Sequence, residues 1–413
     1  MAVLFAEARL PTYLAGPFGG TNARPFGSAW NEVEKLLTVH LRAGTIKQVA
    51  NWEDLPISAM RDFFVIGHTT SSRKTGDLER IVQAISRRIS SNSNLVLAGL
   101  CRPGYTFDTV AATIKKHSGL QIGTDVGLCY FPLLWNGEQL RAFRESPVLI
   151  AGVANEALSH IQDLLLRVFP SITTTSKIRL AEAAGLFAPI HREVMRALEL
   201  ELASFCEGEG VDYSDTIGLF KTVGPPSLGA PKPSPMRDYV ASTIALSTQN
   251  GKQSCVVRAA RSVNEKAQDR VLSMVKGALE LCGLRMKNSK IAILGLAGLQ
   301  TMSQNREPLA IVDTLKKRGA VVTLYLGDNF ARNANYDFGD VPIEKTVSRA
   351  VLGANCALVA LEEVAWPELD PEKLASQMSR PAAICDVTRA LEASNVERAG
   401  LFYASIGRGR PGA

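Results

Sequence analysis

Three changes of hydrophobic rhythm divide the chain. From about residue 60 to 150, apolar runs of strand length alternate with stretches of helical spacing. The run at 62–67 (DFFVIG) reads as a strand, and 77–89 (DLERIVQAISRRI) sets Leu78, Ile81, Val82, Ile85 and Ile89 on one helical face. A strand at 94–100 (NLVLAGL), a helix at 107–117 and a strand at 127–131 follow, with turn residues at each junction. This βαβ order predicts a parallel sheet, because parallel neighbours need crossover helices. From 177 to 208 the pattern is that of one long helix, kinked where Pro189 removes a backbone donor. A Pro/Gly-rich loop at 223–236 (VGPPSLGAPKPSPM) ends regular structure, and 258–281 is helical again through Val263, Ala267, Val271, Met274, Val275 and Leu279. From Lys290 the alternation returns: KIAILGLAG enters a glycine turn, and helices at 306–318, 344–352 and 371–377 separate strands at 320–326, 356–361 and 382–385. The expected order is α/β, then α, then α/β.

Composition narrows the function without naming it. At 46% hydrophobic and 21% charged, 413 residues can bury sizeable cores. The net charge of +6 is scattered with no basic run, which excludes a nucleic-acid partner. Apolar stretches fall short of a membrane span, and MAVLFAEARL lacks the basic start and apolar core of a secretory signal, so cytoplasmic residence is expected. Cys101, Cys129, Cys206, Cys255, Cys282, Cys356 and Cys385 show no CxxC spacing, and the histidines are dispersed, so neither a disulfide framework nor a metal site is expected. Neither HExxH nor GxSxG occurs.

Five ordered blocks carry a resemblance. DFFVIGHTT with GDL, GLCRPGYT, LAEAAGLF with ALELELASFCEGEGVD, ILGLAG to NRE with LKKRGAVVTLYLGD, and GLFYASIGRG resemble, in sequence and spacing, the UDP-glucose/GDP-mannose dehydrogenases. The resemblance implies two Rossmann-like parallel-sheet domains joined by a central helical domain with a long kinked helix. It sets boundaries at 1–170, 171–285 and 286–413, the last binding nucleotide sugar and the middle forming a homodimer.

The family's chemistry is where the chain departs. Its loop GGxCxPKD supplies a cysteine that attacks the aldehyde intermediate; a thiolate is both a strong nucleophile and a good acyl leaving group. The matching SLGAPKPSP places Gly229 at the nucleophile and Pro233 at the aspartate, keeping only Pro231 and Lys232. The family's lysine on the central helix aligns near Gly185, its asparagine near Pro189 or Ala188, its glutamate after a conserved proline at Leu133 and its strand-end threonine near Leu100. In place of GxGxxG the chain offers GPFGG at 16–20, read as a loop with no apolar strand before it and no acidic residue about twenty positions later. The expectation is therefore a chain without a cofactor, NAD included, whose first βαβ unit is missing.

Some polar residues remain as candidates. Glu182 and His191, with Lys232, are the candidate catalytic groups: histidine titrates near neutrality and a carboxylate orients it, although an exposed helix surface gives the same pattern. Arg306, suited to bidentate phosphate contact, Asn264 and Arg192 are the candidate substrate-binding residues. Against these stand a surface ion pair of Arg306 with Glu307 and a solvated face for Asn264. Three functions follow: a nucleotide-sugar dehydrogenase-like protein that has lost canonical oxidation and uses its cleft for other small-molecule chemistry, a non-catalytic binding or regulatory protein, or an active dehydrogenase.

Overall fold

Buried on both faces, the strands of the first α/β segment read as continuous apolar runs. The computed structural model describes residues 1–15, 28–50, 54–56, 60–66, 75–133, 140–224, 228–229, 255–295, 308–326, 339–360 and 369–408. Two compact units emerge, Met1–Ile190 with Ser242–Gln253, and His191–Ala241 with Ser254–Ala413.

The N-terminal segment of the first unit forms α1 (Ala2–Glu7), β1 (Thr12–Ala15), α2 (Ser28–Arg42) and β2 (Ile46–Val49). β1 and β2 pair in parallel, Thr12 opposite Ile46 and Ala15 opposite Val49. This corrects the expectation that the first βαβ unit is missing and that no strand precedes Gly16–Gly20. β1 has only four residues, all half-buried, which leaves no period to read.

A second sheet orders β3 (Asp62–Ile66), β4 (Ser93–Ala98), β5 (Val126–Phe131), β6 (Val148–Gly152) and β7 (Ile172–Thr175) side by side. Neighbours run parallel except β5 and β6, which are antiparallel with Cys129 opposite Gly152, so β6 and β7 together run against the other three. Successive side chains of β4 and β5 point to opposite faces. Leu95, Leu97, Leu128 and Tyr130 pack with Val82 and Ile85 of α3 (Thr75–Ser86) and with Ile114 of α4 (Ala112–Ser118). Val96, Ala98, Cys129 and Phe131 pack with Phe143 of α5 (Leu140–Glu145), Ile161 and Leu165 of α6 (Asn155–Leu166), and Phe5 of α1.

The long helix is α7 (Ile178–Gly208), 31 residues with Pro189 inside. Its second half belongs to the second unit: Leu200, Ala203 and Cys206 share a core with Tyr213 of α8 (Tyr213–Phe220) and with Val271, Val275 and Leu279 of the helix Ala267–Leu281. That core lies on a six-stranded parallel sheet, ordered β10 (Ile343–Glu344), β9 (Val321–Tyr325), β8 (Lys290–Leu294), β11 (Cys356–Val359), β12 (Ala383–Asp386) and β13 (Phe402–Ser405). The order reverses between β8 and β11, the switch point where open α/β sheets take their ligands.

A latch joins α8 to the end of this sheet. Asp212 caps α8 by accepting the Ser214 amide at 2.7 Å, and Arg389 donates to Asp212 at 2.9 Å and to the Ile406 carbonyl at 2.9 Å. Burial alone would raise the Asp212 carboxyl, but the Arg389 guanidinium and the Ser214 and Asp215 amides outweigh it and hold it below its usual value. A carboxyl depressed in the folded state stabilises the fold above its unfolded value and loses that contribution as pH falls through the folded one. Arg389→Ala is expected to cost about 2 kcal/mol at neutral pH, and the gap to the parent to narrow below about pH 4, checked by urea unfolding at both pH values.

Candidate active site

In the first unit, Glu182 organises the turn that follows β4. Its side chain is fully buried and accepts the Gly104 amide at 2.5 Å, the Thr106 amide at 2.9 Å and the Cys101 thiol at 3.5 Å. The two amides open the turn at 106–111 that runs into α4, where helix N-termini leave donors unpaired. Burial first, and the Glu182 charge second, push the Cys101 thiol well above its ordinary value. Cys101 is thus a protonated donor here and not a nucleophile. His191 is exposed and is the first residue of the second unit.

Gly185, one turn further along α7, lies against the carboxyl ends of β4 and β5. A Cβ there would meet the Pro132 Cβ at 2.9 Å, the Tyr130 hydroxyl at 3.1 Å and the Leu100 Cδ2 at 3.2 Å. Tyr130 is itself fixed, donating to the Gly99 carbonyl at 2.9 Å. The positions that match the family's lysine and threonine are therefore filled by a helix backbone packed on Leu100, Tyr130 and Pro132.

In the second unit, Gly229 is bonded to side chains of α7 and α8. The Gly229 amide donates to Glu199 at 2.6 Å, and the Tyr213 hydroxyl donates to the Gly229 carbonyl at 3.0 Å. Glu199 and Tyr213 are buried. Burial first, and the Glu199 charge second, push the Tyr213 phenol up to about 12, so it remains a donor at neutral pH. Of the thiols in this unit, Cys206 is buried and turned to the Thr216 hydroxyl at 3.9 Å, and Cys255 opens the helix Cys255–Glu265. Asn264 of that helix is buried rather than solvated; its amide donates to the Glu193 carbonyl at 3.0 Å and its Oδ1 has no partner among the described residues. The structure thus brings Asn264 to the turn of α7 that carries His191 and half-buried Arg192. One turn on, burial lowers the pKa of Arg196, the Glu193 and Glu199 charges oppose this, and the Arg192 charge adds to it.

Glu199, Tyr213 and the packing at Gly185 were not singled out from the sequence. One signal was present: Glu193 falls at helical spacing with the buried Leu186, Ala197 and Leu200, so it interrupts the apolar stripe of α7. Lys232 and Arg306 lie outside the described residues. Among the described residues no cluster of histidine, cysteine or carboxylate side chains is arranged to hold a metal ion, and no helix is long and apolar enough to cross a membrane.

No family model matches the sequence. Relatives nevertheless align over most of it. The chain is 23% identical over 390 residues to the UDP-N-acetyl-D-mannosamine dehydrogenase of Pyrococcus horikoshii, covering 92% of this chain and 88% of that one. It is 27% identical over 332 residues to a UDP-glucose 6-dehydrogenase of Haloferax volcanii, covering 74% and 71%. The solved structure of the Pyrococcus horikoshii UDP-D-ManNAc dehydrogenase superposes with a TM-score of 0.78 at 20% identity, covering 99% of this chain and 96% of that one.

These comparisons overturn the expectation of a chain without a cofactor: the relatives are dehydrogenases, and the family implied by the resemblance uses NAD as hydride acceptor. The fold agrees with the correction, since β1, the glycines at 16, 19 and 20, and α2 stand in the order of a nucleotide-binding βαβ unit. The chain is a diverged relative of the nucleotide-sugar dehydrogenases, built on their Rossmann-like domains.

Proposed function

We propose that the protein binds NAD and a nucleotide sugar on this scaffold but performs its chemistry without a covalent thiol intermediate, so that a uronic acid is not its product. One observation carries the reading. Gly229, at the position that matches the family's nucleophile, is held by hydrogen bonds at both its amide and its carbonyl, and its neighbour there is a buried carboxylate. Bound NAD supplies a hydride acceptor. Gly16, Gly19 and Gly20 are the residues to hold its pyrophosphate, and Glu53 and Asp54, which follow β2, are the acids nearest in sequence to where such folds bind a ribose. Calorimetric titration with NAD and with UDP-glucose or UDP-N-acetylmannosamine tests the binding half; heat of binding is expected for both classes, and absence of either contradicts it.

Self-association through α7 is part of the same proposal. Leu180 and Phe187, seven residues apart, are 59% and 68% exposed, and Leu198 and Phe205, also seven apart, are 43% and 64% exposed. Apolar side chains recurring at this interval form a seam for a second helix. Sedimentation is expected to give a dimer for the parent and a monomer for Phe187→Glu/Phe205→Glu; a parent that is monomeric at high concentration contradicts the assignment.

A further inference from the structure

The turns that lead into the strands of the second unit's sheet line one edge of it, opposite the carboxyl ends where such sheets take their ligands. Cations that lie far apart in sequence meet along this edge. Lys287 stands beside the turn before β9: the Asn288 amide donates to the Gly319 carbonyl at 2.8 Å, and a Cβ built on Gly319 would meet the Lys287 Cγ at 3.0 Å. Lys290, the first residue of β8, holds its ammonium 3.7 Å from where a Cβ on Gly353 would stand, in the turn before β11. Arg380, just before β12, donates to the Ala399 carbonyl at 3.0 Å, in the turn before β13. Arg285 and Arg318 complete the row in the turns before β8 and β9. All of these side chains are exposed, and the ion pairs among the described residues of this unit engage other cations. Neighbouring strands at about 4.8 Å spacing make the edge roughly 20 Å wide.

Apolar side chains stand among these cations. Leu352, 68% exposed, precedes Gly353, and the exposed Val321 and Phe402 open β9 and β13. Leu281, exposed too, ends the helix Ala267–Leu281 that leads to β8. Helix C-termini attract cations, which accounts for Lys316 and Lys317 in the last turn of the helix Pro308–Lys317. It does not account for Arg285, Lys287 and Lys290, which lie beyond a last turn, nor for apolar side chains left in water. A soluble polyanion or an acidic protein segment would satisfy the charges and leave the apolar side chains uncovered. An anionic lipid surface takes both, its headgroups meeting the cations and its interface the apolar groups. We propose that this edge attaches the protein to an anionic lipid surface. Attachment of this kind lies on the membrane and needs no spanning helix. It turns the carboxyl ends of the strands away from the lipid, open to ligand.

The test is co-sedimentation of the full chain with vesicles of phosphatidylcholine alone and of phosphatidylcholine with about a third phosphatidylglycerol. The parent is expected on the anionic vesicles and not on the neutral ones, with less bound as salt is raised. Each cation at such a surface is worth about fivefold in partitioning, so Arg285→Ala/Lys287→Ala/Lys290→Ala is expected to bind roughly a hundredfold more weakly. Leu352→Ser is expected to lose about tenfold, through the apolar contact and not through charge. Arg87→Ala/Lys115→Ala/Lys116→Ala removes the same charge from exposed positions of the first unit and is expected to bind as the parent does. Every substituted side chain is exposed, so melting midpoints are expected to match the parent. A parent that binds anionic vesicles no better than neutral ones would overturn the proposal. So would an equal loss in the first-unit variant, which would assign binding to overall charge, or retention on polyglutamate with none on the anionic vesicles.

Discussion

Glu182→Ala is expected to unfold the first unit roughly 10 °C below the parent. The substitution leaves the buried Gly104 and Thr106 amides without their acceptor. Each orphaned buried group costs about 1–3 kcal/mol, together roughly 3–5 kcal/mol. For a unit of this size each kcal/mol shifts the midpoint by about 2–4 °C. Glu182→Gln keeps an oxygen acceptor and is expected to fall between parent and alanine. Differential scanning calorimetry checks both, and a Glu182→Ala protein that melts with the parent would show that the carboxylate is not what holds the turn. The functional consequence is specific. Glu182 is engaged by the backbone, so its loss acts through folding and not through acid/base chemistry.

Gly185→Lys, which restores the family's residue at that position, is expected to destabilise the first unit rather than revive an activity. Even an alanine Cβ would stand 2.9 Å from the Pro132 Cβ, closer than side chains approach, and both the proline ring and the hydrogen-bonded Tyr130 resist moving. Overpacking of this kind costs about 1–3 kcal/mol for small additions, and lysine adds the burial of a charge beside Leu100. A lower midpoint in denaturant is expected for Gly185→Ala and a still lower one for Gly185→Lys. Unchanged stability in Gly185→Ala would mean that the space between α7 and the strand ends is open, and that the absence of lysine carries no structural meaning.

These two positions show what the sequence makes legible and what it hides. The long helix α7 is readable because its apolar spacing persists across Pro189, and the βαβ order from β3 to β5 because each element has its own period. The direction of β6 is not readable, since alternation of apolar residues is the same in either direction. β1 escapes notice because four half-buried residues carry no pattern, and with it the glycines that follow lose their context. The sequence shows at Gly185 only that lysine is absent; that glycine is required depends on Pro132 and Tyr130, more than fifty residues earlier. Glu182 reads as a candidate acid/base group, and its hold on the backbone is hidden because its donors lie 76 and 78 residues away. Glu199 reads as one more polar helical residue, until Gly229, thirty residues on, donates its amide to it. The expectation of no cofactor shares the cause: the sequence shows no apolar strand before the glycines at 16–20, whereas β1 precedes them and pairs in parallel with β2.

The most direct measurement is the balance of products. The protein is incubated with NAD and UDP-glucose or UDP-N-acetylmannosamine, NADH is followed optically, and the sugar products are quantified by mass spectrometry. Without a nucleophile at Gly229, at most one NADH is expected for each sugar consumed, with no uronic acid formed. Two NADH for each sugar, with the uronic acid as product, would contradict the account.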